Sequence, residues 1–406
     1  MATMKWIKFT AVSAVLLSTM ASTSVMAADE ETAAPDFTTR TYSPIEVNTE
    51  VLATSQLFKY DSGLTFEYPD AVRGIFVTGH SAGGERFEKL VNLVDTTDLN
   101  AMVIDIKEDL GYLTYKPEEG TPLADLGIGQ PFIKDPRAAL ERMEEKQIYP
   151  IARVVVFKDS VLAEAKPELS FVDGNSVWKN GRGESFVNPF MKEVWDYNVQ
   201  IAIEAAKLGF KEIQFDYVRF PEGFENRTDT LKYSMGEYEN SELDPVQRRV
   251  EAVTDFVAYA REQLKPYDVE VSVDIFGYSA TLPEAPGIGQ NFSKISENVD
   301  VISSMIYPSH WTSYFGIAKP DLEPYKLVSE YAKVENKKLE ELEDPPVSRP
   351  WLQDFTASYL GAGNYQNYGK AEVEAQIKAL QDHGINEYLL WNAGNSYSPG
   401  VDYTPE

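Results

Sequence analysis

Several carboxylates of this 406-residue sequence stand where a short apolar run stops, and the plainest is Asp216 in Lys211-Glu-Ile-Gln-Phe-Asp-Tyr-Val-Arg-Phe-Pro221. The run reads as a buried strand with Asp216 and Arg219 at its C-terminal end. Alternation sets Ile213, Phe215 and Tyr217 on one face and Gln214, Asp216 and Val218 on the other. A carboxylate in such a strand either pairs with Arg219 or a neighbouring strand's cation and holds the fold, or it does chemistry. In Val271-Ser-Val-Asp-Ile-Phe276 the same alternation turns Ser272 and Asp274 away from the β-branched face. Asp105 and Lys107 likewise share a face opposite Ile104 and Ile106. Two carboxyl groups are what glycosidic hydrolysis uses, about 5–5.5 Å apart for retention and about 6.5–9.5 Å apart for inversion. Adjacent strands lie about 4.8 Å apart, which allows either outcome. The expected roles are nucleophile or base for Asp216 and general acid for Asp274, its pKa raised by the neighbouring charge.

Other apolar runs end in the same manner. Lys158 and Asp159, Tyr307 with His310 and Trp311, Gln353 with Asp354, and Trp391 with Asn392 all follow one. Carboxylates, a few cations and aromatic rings converging on one mouth suit a sugar, whose hydroxyls need planar partners and whose C–H faces stack on rings. Asp105, Lys107, Arg219, Tyr307 and His310 are therefore expected to bind substrate together with Gln353 and Asn392. Trp311 and Trp391 are the expected stacking platforms, whereas Trp178, Trp195 and Trp351 read as core.

The elements that must position these groups alternate. Strand-like runs cover 72–78, 101–106, 149–157, 212–220, 269–276, 301–307, 349–355 and 387–392. Amphipathic stretches at 86–94, 136–146, 189–208, 245–264, 322–334 and 371–383 lie between them, with Pro136, Pro189 and Pro245 placed as first-turn prolines. Repeated βα units predict a parallel sheet, and eight of them a (β/α)8 TIM barrel whose site lies at the strand C-termini. An open doubly wound sheet is the alternative, but no phosphate-binding glycine fingerprint supports it.

Lys5 and Lys8, the apolar run 9–20 and Val25-Met-Ala27 form a signal-peptide pattern over 1–27, so the mature chain is expected to begin near Ala28 and to be secreted or cell-envelope associated. The run is too short for a membrane span, and no stable membrane insertion is expected after cleavage. Residues 28–70 read as an acidic leader, with a strand or two over 51–66, and 71–400 as the barrel. The 64 acidic against 37 basic residues, a formal charge of −27, argue against a nucleic-acid partner. Three histidines without helical spacing and no calcium loop predict no metal and no cofactor.

Five stretches in order, namely 72–84, 103–109, 215–221, Met305-Ile-Tyr-Pro-Ser-His-Trp311 and Arg349-Pro-Trp-Leu-Gln-Asp-Phe355, resemble a bacterial family of glycoside hydrolase domains first described as a domain of unknown function. The resemblance covers about residues 70–400. It implies a TIM barrel and a polysaccharide substrate.

Two rival readings are open. Gly79-His-Ser-Ala-Gly83 fits the nucleophile elbow of an esterase, with Ser81 as nucleophile and His310 or His383 as base. The elbow follows the first strand rather than a later one, and no oxyanion segment precedes it. The barrel could also bind glycan without turning it over, since a fold does not fix a function.

Overall fold

A computed structural model describes residues 59–405. The signal-peptide pattern, the cleavage point and most of the acidic leader lie outside the described residues. Among the described residues, eight strands pair in parallel: β1 (Arg73–Val77), β2 (Ala101–Lys107), β3 (Tyr149–Val155), β4 (Glu212–Asp216), β5 (Glu270–Phe276), β6 (Val301–Met305), β7 (Trp351–Gln353) and β8 (Tyr388–Trp391). The ring closes because β1 pairs on both sides, Gly74 opposite Leu389 of β8 and Ala101 of β2. A Cβ on Gly74 would stand 2.7 Å from Leu389 Cδ2, so glycine permits this approach. The result is the expected (β/α)8 TIM barrel.

The larger helices are α1 (Arg86–Asp95), α2 (Pro136–Glu144), α3 (Lys192–Leu208), α4 (Pro245–Leu264), α5 (Pro324–Leu339) and α6 (Lys370–Gln381). Asp135 and Asp244 cap α2 and α4 by accepting first-turn amides, and Pro136 and Pro245 follow them at N1. Pro189 is not in a first turn. It precedes α3, where its carbonyl accepts the Trp195 indole N–H at 2.7 Å. A short helix at Phe292–Ser296 links β5 to β6, and small strands at Leu113–Tyr115 and Gly129–Ile133 extend the sheet beyond β2.

Phe215 of β4 faces outward against Phe256 of α4, while Phe76, Val103, Trp351 and Leu389 belong to one buried cluster. Residues 59–66 form no strand; the Thr65 and Glu67 amides donate to the Glu144 and Gln147 side chains instead of to a ladder. At the strand N-termini Tyr68 bonds buried Arg349 and Glu387, and Arg349 in turn bonds Glu212 and Glu387.

Candidate active site

The C-terminal ends of the strands open into a cleft of about 900 Å³. Its floor is built from β3, β4 and β5. Arg153 occupies the middle of β3, in an otherwise apolar run, and alternation sends it inward. There it is 2 % exposed and joins three carboxylates: Nη1 donates to Asp105 Oδ1 at 2.6 Å, Nη2 to Asp109 Oδ1 at 2.9 Å, and Nε and Nη2 to Asp216 Oδ2 at 2.9 and 2.6 Å. Its guanidinium also lies over the Phe76 and Trp391 rings, with centroids 5.6 and 5.4 Å away.

Asp216 ends β4. Its second oxygen, Oδ1, accepts the Tyr217 backbone N–H at 2.6 Å. Tyr217 reaches that position through a φ of 53°, a left-handed conformation that a bulky residue adopts at a cost of about 1–3 kcal/mol. The turn breaks the alternation, and Tyr217 lines the cleft instead of facing the helices with Phe215. Asp274 stands in the inward row of β5, below Phe276, with Phe215 and Val273 paired one residue before the two carboxylates. Its Oδ1 accepts the Trp351 indole N–H at 2.7 Å. Burial first, and the Asp216 charge second, push its pKa well above the usual carboxylate range. Two carboxyl groups thus stand side by side in opposed surroundings, one on a guanidinium and the other on an indole.

Their neighbours differ as sharply. Burial pushes Asp105 up to about 7 against the pull of Arg153. For Asp109 burial is outweighed by Arg153 and Lys158, which hold it at about 2. Lys158 also bridges to Glu184 at 2.7 Å, tying the long connection after β3 to the rim.

Of the expected binding residues, Arg219, Tyr307, His310, Trp311 and Trp391 line the cleft with Asp216 and Asp274. Arg219 lies between the Tyr217 and Phe276 rings and pairs with Glu222. Trp391 stacks on Phe76 at 4.0 Å. Four residues are elsewhere. Asp105 sits behind Arg153. Lys107 is fully buried outside the barrel wall, paired with Asp159 at 2.7 Å and bonded to Asn198 of α3. The cause is a bulge: Asp105 pairs with Arg153 but Lys107 with Val154, so the strand gains a residue and Lys107 changes face. Gln353 has its amide engaged by the Ser309 N–H, Asp321 and the Phe355 carbonyl, and ties down the loop after β6. Asn392 bonds Ser396 and Gly394 within its own turn and donates to the Asp354 carbonyl just past the end of β7.

Arg153 is the residue that the reading of strand ends missed, because it stands in mid-strand. Its signal was a lone cation in an apolar run between two strands that carry an aspartate near the C-terminal end, Asp105 and Asp216. Ser81 is buried in a short helix capped by Thr78, and no hydrogen bond joins it to an imidazole among the described residues. His80 packs on Phe132, His310 on Tyr307, and His383 bonds Ser329. No cluster of potential metal ligands occurs among the described residues.

A closed parallel barrel with acidic residues at the floor of an aromatic-lined cleft is the architecture of a glycoside-hydrolase-type domain. Residues 74–397 match the family described as "Putative glycosyl hydrolase domain", and the chain belongs to that family. The glycoside hydrolase domain of PgaB (BpsB) from Bordetella bronchiseptica shares the fold, with a TM-score of 0.54 over 80 % of this chain and 94 % of that one at 16 % identity. A hypothetical protein from Ruminiclostridium thermocellum is 33 % identical, covering 49 % of this chain and 96 % of its own with a TM-score of 0.42. The α-galactosidase TtGalA from Thermus thermophilus is 12 % identical, covering 86 % of this chain and 63 % of its own with a TM-score of 0.48. No curated protein matches the sequence.

Proposed function

We propose that this protein is an exported glycoside hydrolase that cleaves an extracellular or envelope polysaccharide, with Asp216 as nucleophile or base and Asp274 as general acid. The observation that carries the reading is the pair of adjacent carboxyl groups at the cleft floor. Asp274 is buried, and burial and the Asp216 charge push its pKa upward, the direction required of a group that gives a proton to the leaving oxygen. Asp216 rests on Arg153 and is aimed by the Tyr217 amide. The charge that develops on the sugar ring in the transition state would meet this carboxylate. Trp311, Trp391 and Tyr307 offer ring faces to sugar C–H groups, and Arg219 offers donors to hydroxyls.

The second reading, glycan binding without turnover, draws on the same ion pairs, because Arg153 holds one oxygen of Asp216 in a buried salt bridge. The two separate in one assay. Mature protein is incubated with a panel of bacterial envelope and extracellular polysaccharides, and reducing ends are measured for wild type, Asp216→Asn and Ser81→Ala. We expect release that falls on the order of 10³-fold in Asp216→Asn and is unchanged in Ser81→Ala. Glycan binding with no release from any polysaccharide favours the silent reading. Loss of ester groups that depends on Ser81 favours an esterase.

A further inference from the structure

We propose that Arg153 is the positioning residue of this site: it occupies one oxygen of Asp216, leaves the other as the reacting atom, and links the state of Asp216 to that of Asp274. The inference rests on the hydrolase reading for its chemical meaning, but its geometry stands by itself. A carboxylate oxygen has two lone pairs. Asp216 Oδ2 takes two N–H groups from Arg153, which fills it. Oδ1 takes one, from Tyr217, which leaves one lone pair. A nucleophile or base acting from Asp216 therefore acts through Oδ1.

The guanidinium is itself immobile. Four hydrogen bonds run from it to Asp105, Asp109 and Asp216, and it lies 5.6 and 5.4 Å from the centroids of the Phe76 and Trp391 rings, which stack on each other. Such a planar fork, held on three sides, fixes a carboxylate to a fraction of an ångström, as a lysine ammonium cannot. Around Asp274 the charged or titratable groups are Asp216 and Glu212 of β4, Arg153 of β3 and Tyr307 after β6, and Trp351 of β7 completes the surround through its indole N–H. Arg153 is the cation among them, so it opposes the proton affinity that burial and Asp216 give Asp274.

The test reads Asp274 without requiring turnover. Because Asp274 Oδ1 accepts the Trp351 indole N–H, the ¹⁵N–¹H resonance of that indole follows the protonation of the carboxyl. It is titrated in wild type, Arg153→Met, Arg153→Lys and Arg349→Met, the last removing a buried arginine toward the opposite end of the barrel. We expect the midpoint to rise by about one pH unit in Arg153→Met, to stay near wild type in Arg153→Lys, and to be unmoved in Arg349→Met. Where hydrolysis is found, Arg153→Lys should lower kcat by about 10- to 100-fold with little change in KM, because it keeps the charge and loses the fork. The basic limb of the rate profile should move upward in Arg153→Met. An unmoved midpoint in Arg153→Met, or full kcat in Arg153→Lys, overturns the proposal. A moved midpoint in a protein that hydrolyses nothing upholds the coupling and removes the hydrolase reading instead. Should Arg153→Met fail to fold, Arg153→Gln at the same position gives the midpoint.

Discussion

Two of the buried arginines, Arg349 and Arg153, stand toward opposite ends of the barrel, and they do different things. Arg349, at the strand N-termini, gives Nη1 to both oxygens of Glu212 at 2.7 Å, Nε to Glu387 at 2.7 Å and Nη2 to the Tyr68 hydroxyl at 2.8 Å. The Tyr68 hydroxyl in turn donates to Glu387, closing the network. Arg153, at the C-termini, meets three carboxylates, with Asp274 beyond them as a fourth. Glu212 is completely buried, whereas the Asp109 side chain is 44 % exposed and the cleft opens above it. A buried ion cluster is thus no mark of a site by itself. Surplus acid and an open face distinguish the upper one.

Breaking the lower cluster should have the largest effect on folding. Arg349→Met leaves Glu212 and Glu387 buried without a cation and should cost about 3–5 kcal/mol, measured by urea denaturation. Adding Glu212→Gln should restore part of that loss. Any hydrolytic activity, expressed per folded molecule, should stay at the wild-type value. If Arg349→Met instead alters the rate profile while stability holds, the assignment of the two ends is reversed.

Asp105→Asn sharpens the comparison with a smaller change. Burial raises the Asp105 carboxyl to about 7, whereas an unfolded aspartate titrates near about 4. Between these values the folded state holds a proton that the unfolded chain has released, so this group's contribution to stability falls as pH rises from about 4 to about 7. Asp109 has the opposite sign: held at about 2, its contribution is present above about 4 and is lost on acidification. Asp105→Asn should therefore flatten the decline of Tm between pH 5 and pH 8 by a few °C. A slope identical to wild type would mean that Asp105 is ionised throughout and that Arg153 faces three carboxylates at neutral pH.

The strands were legible because apolar runs and helical stretches alternate so plainly, and because Asp216 and Asp274 obey the two-residue period of their strands. The sites of failure are local departures from that period. The extra residue before Lys107 turns it outside the wall, and the left-handed Tyr217 turns its ring into the cleft. Gln353 and Asn392 stand at strand ends as expected, but loops that have their own amides to satisfy engage them first. Arg153 and Arg349 were readable in principle. Inward-facing Asp105, Asp216 and Glu212 each require a cation, and these two arginines belong to neighbouring or facing strand segments. Strand ends attract attention as chemistry, and the partner that makes the chemistry lies in mid-strand.

The smallest effect is expected where the lower cluster meets residues 59–70. Tyr68 stands on that segment, bridging Arg349 and Glu387 through one hydroxyl. Tyr68→Phe keeps the ring against Tyr149, with centroids 5.2 Å apart, and deletes only the bridge. Arg349 retains both carboxylates, so no buried charge is left unpaired and the cost should be that of one hydrogen-bonded hydroxyl, about 0.5–1.5 kcal/mol. A loss of 3 kcal/mol or more would show that the phenol, rather than the two glutamates, completes the network. The lower end would then depend on a segment outside the βα units, and the upper end alone would be a property of the barrel.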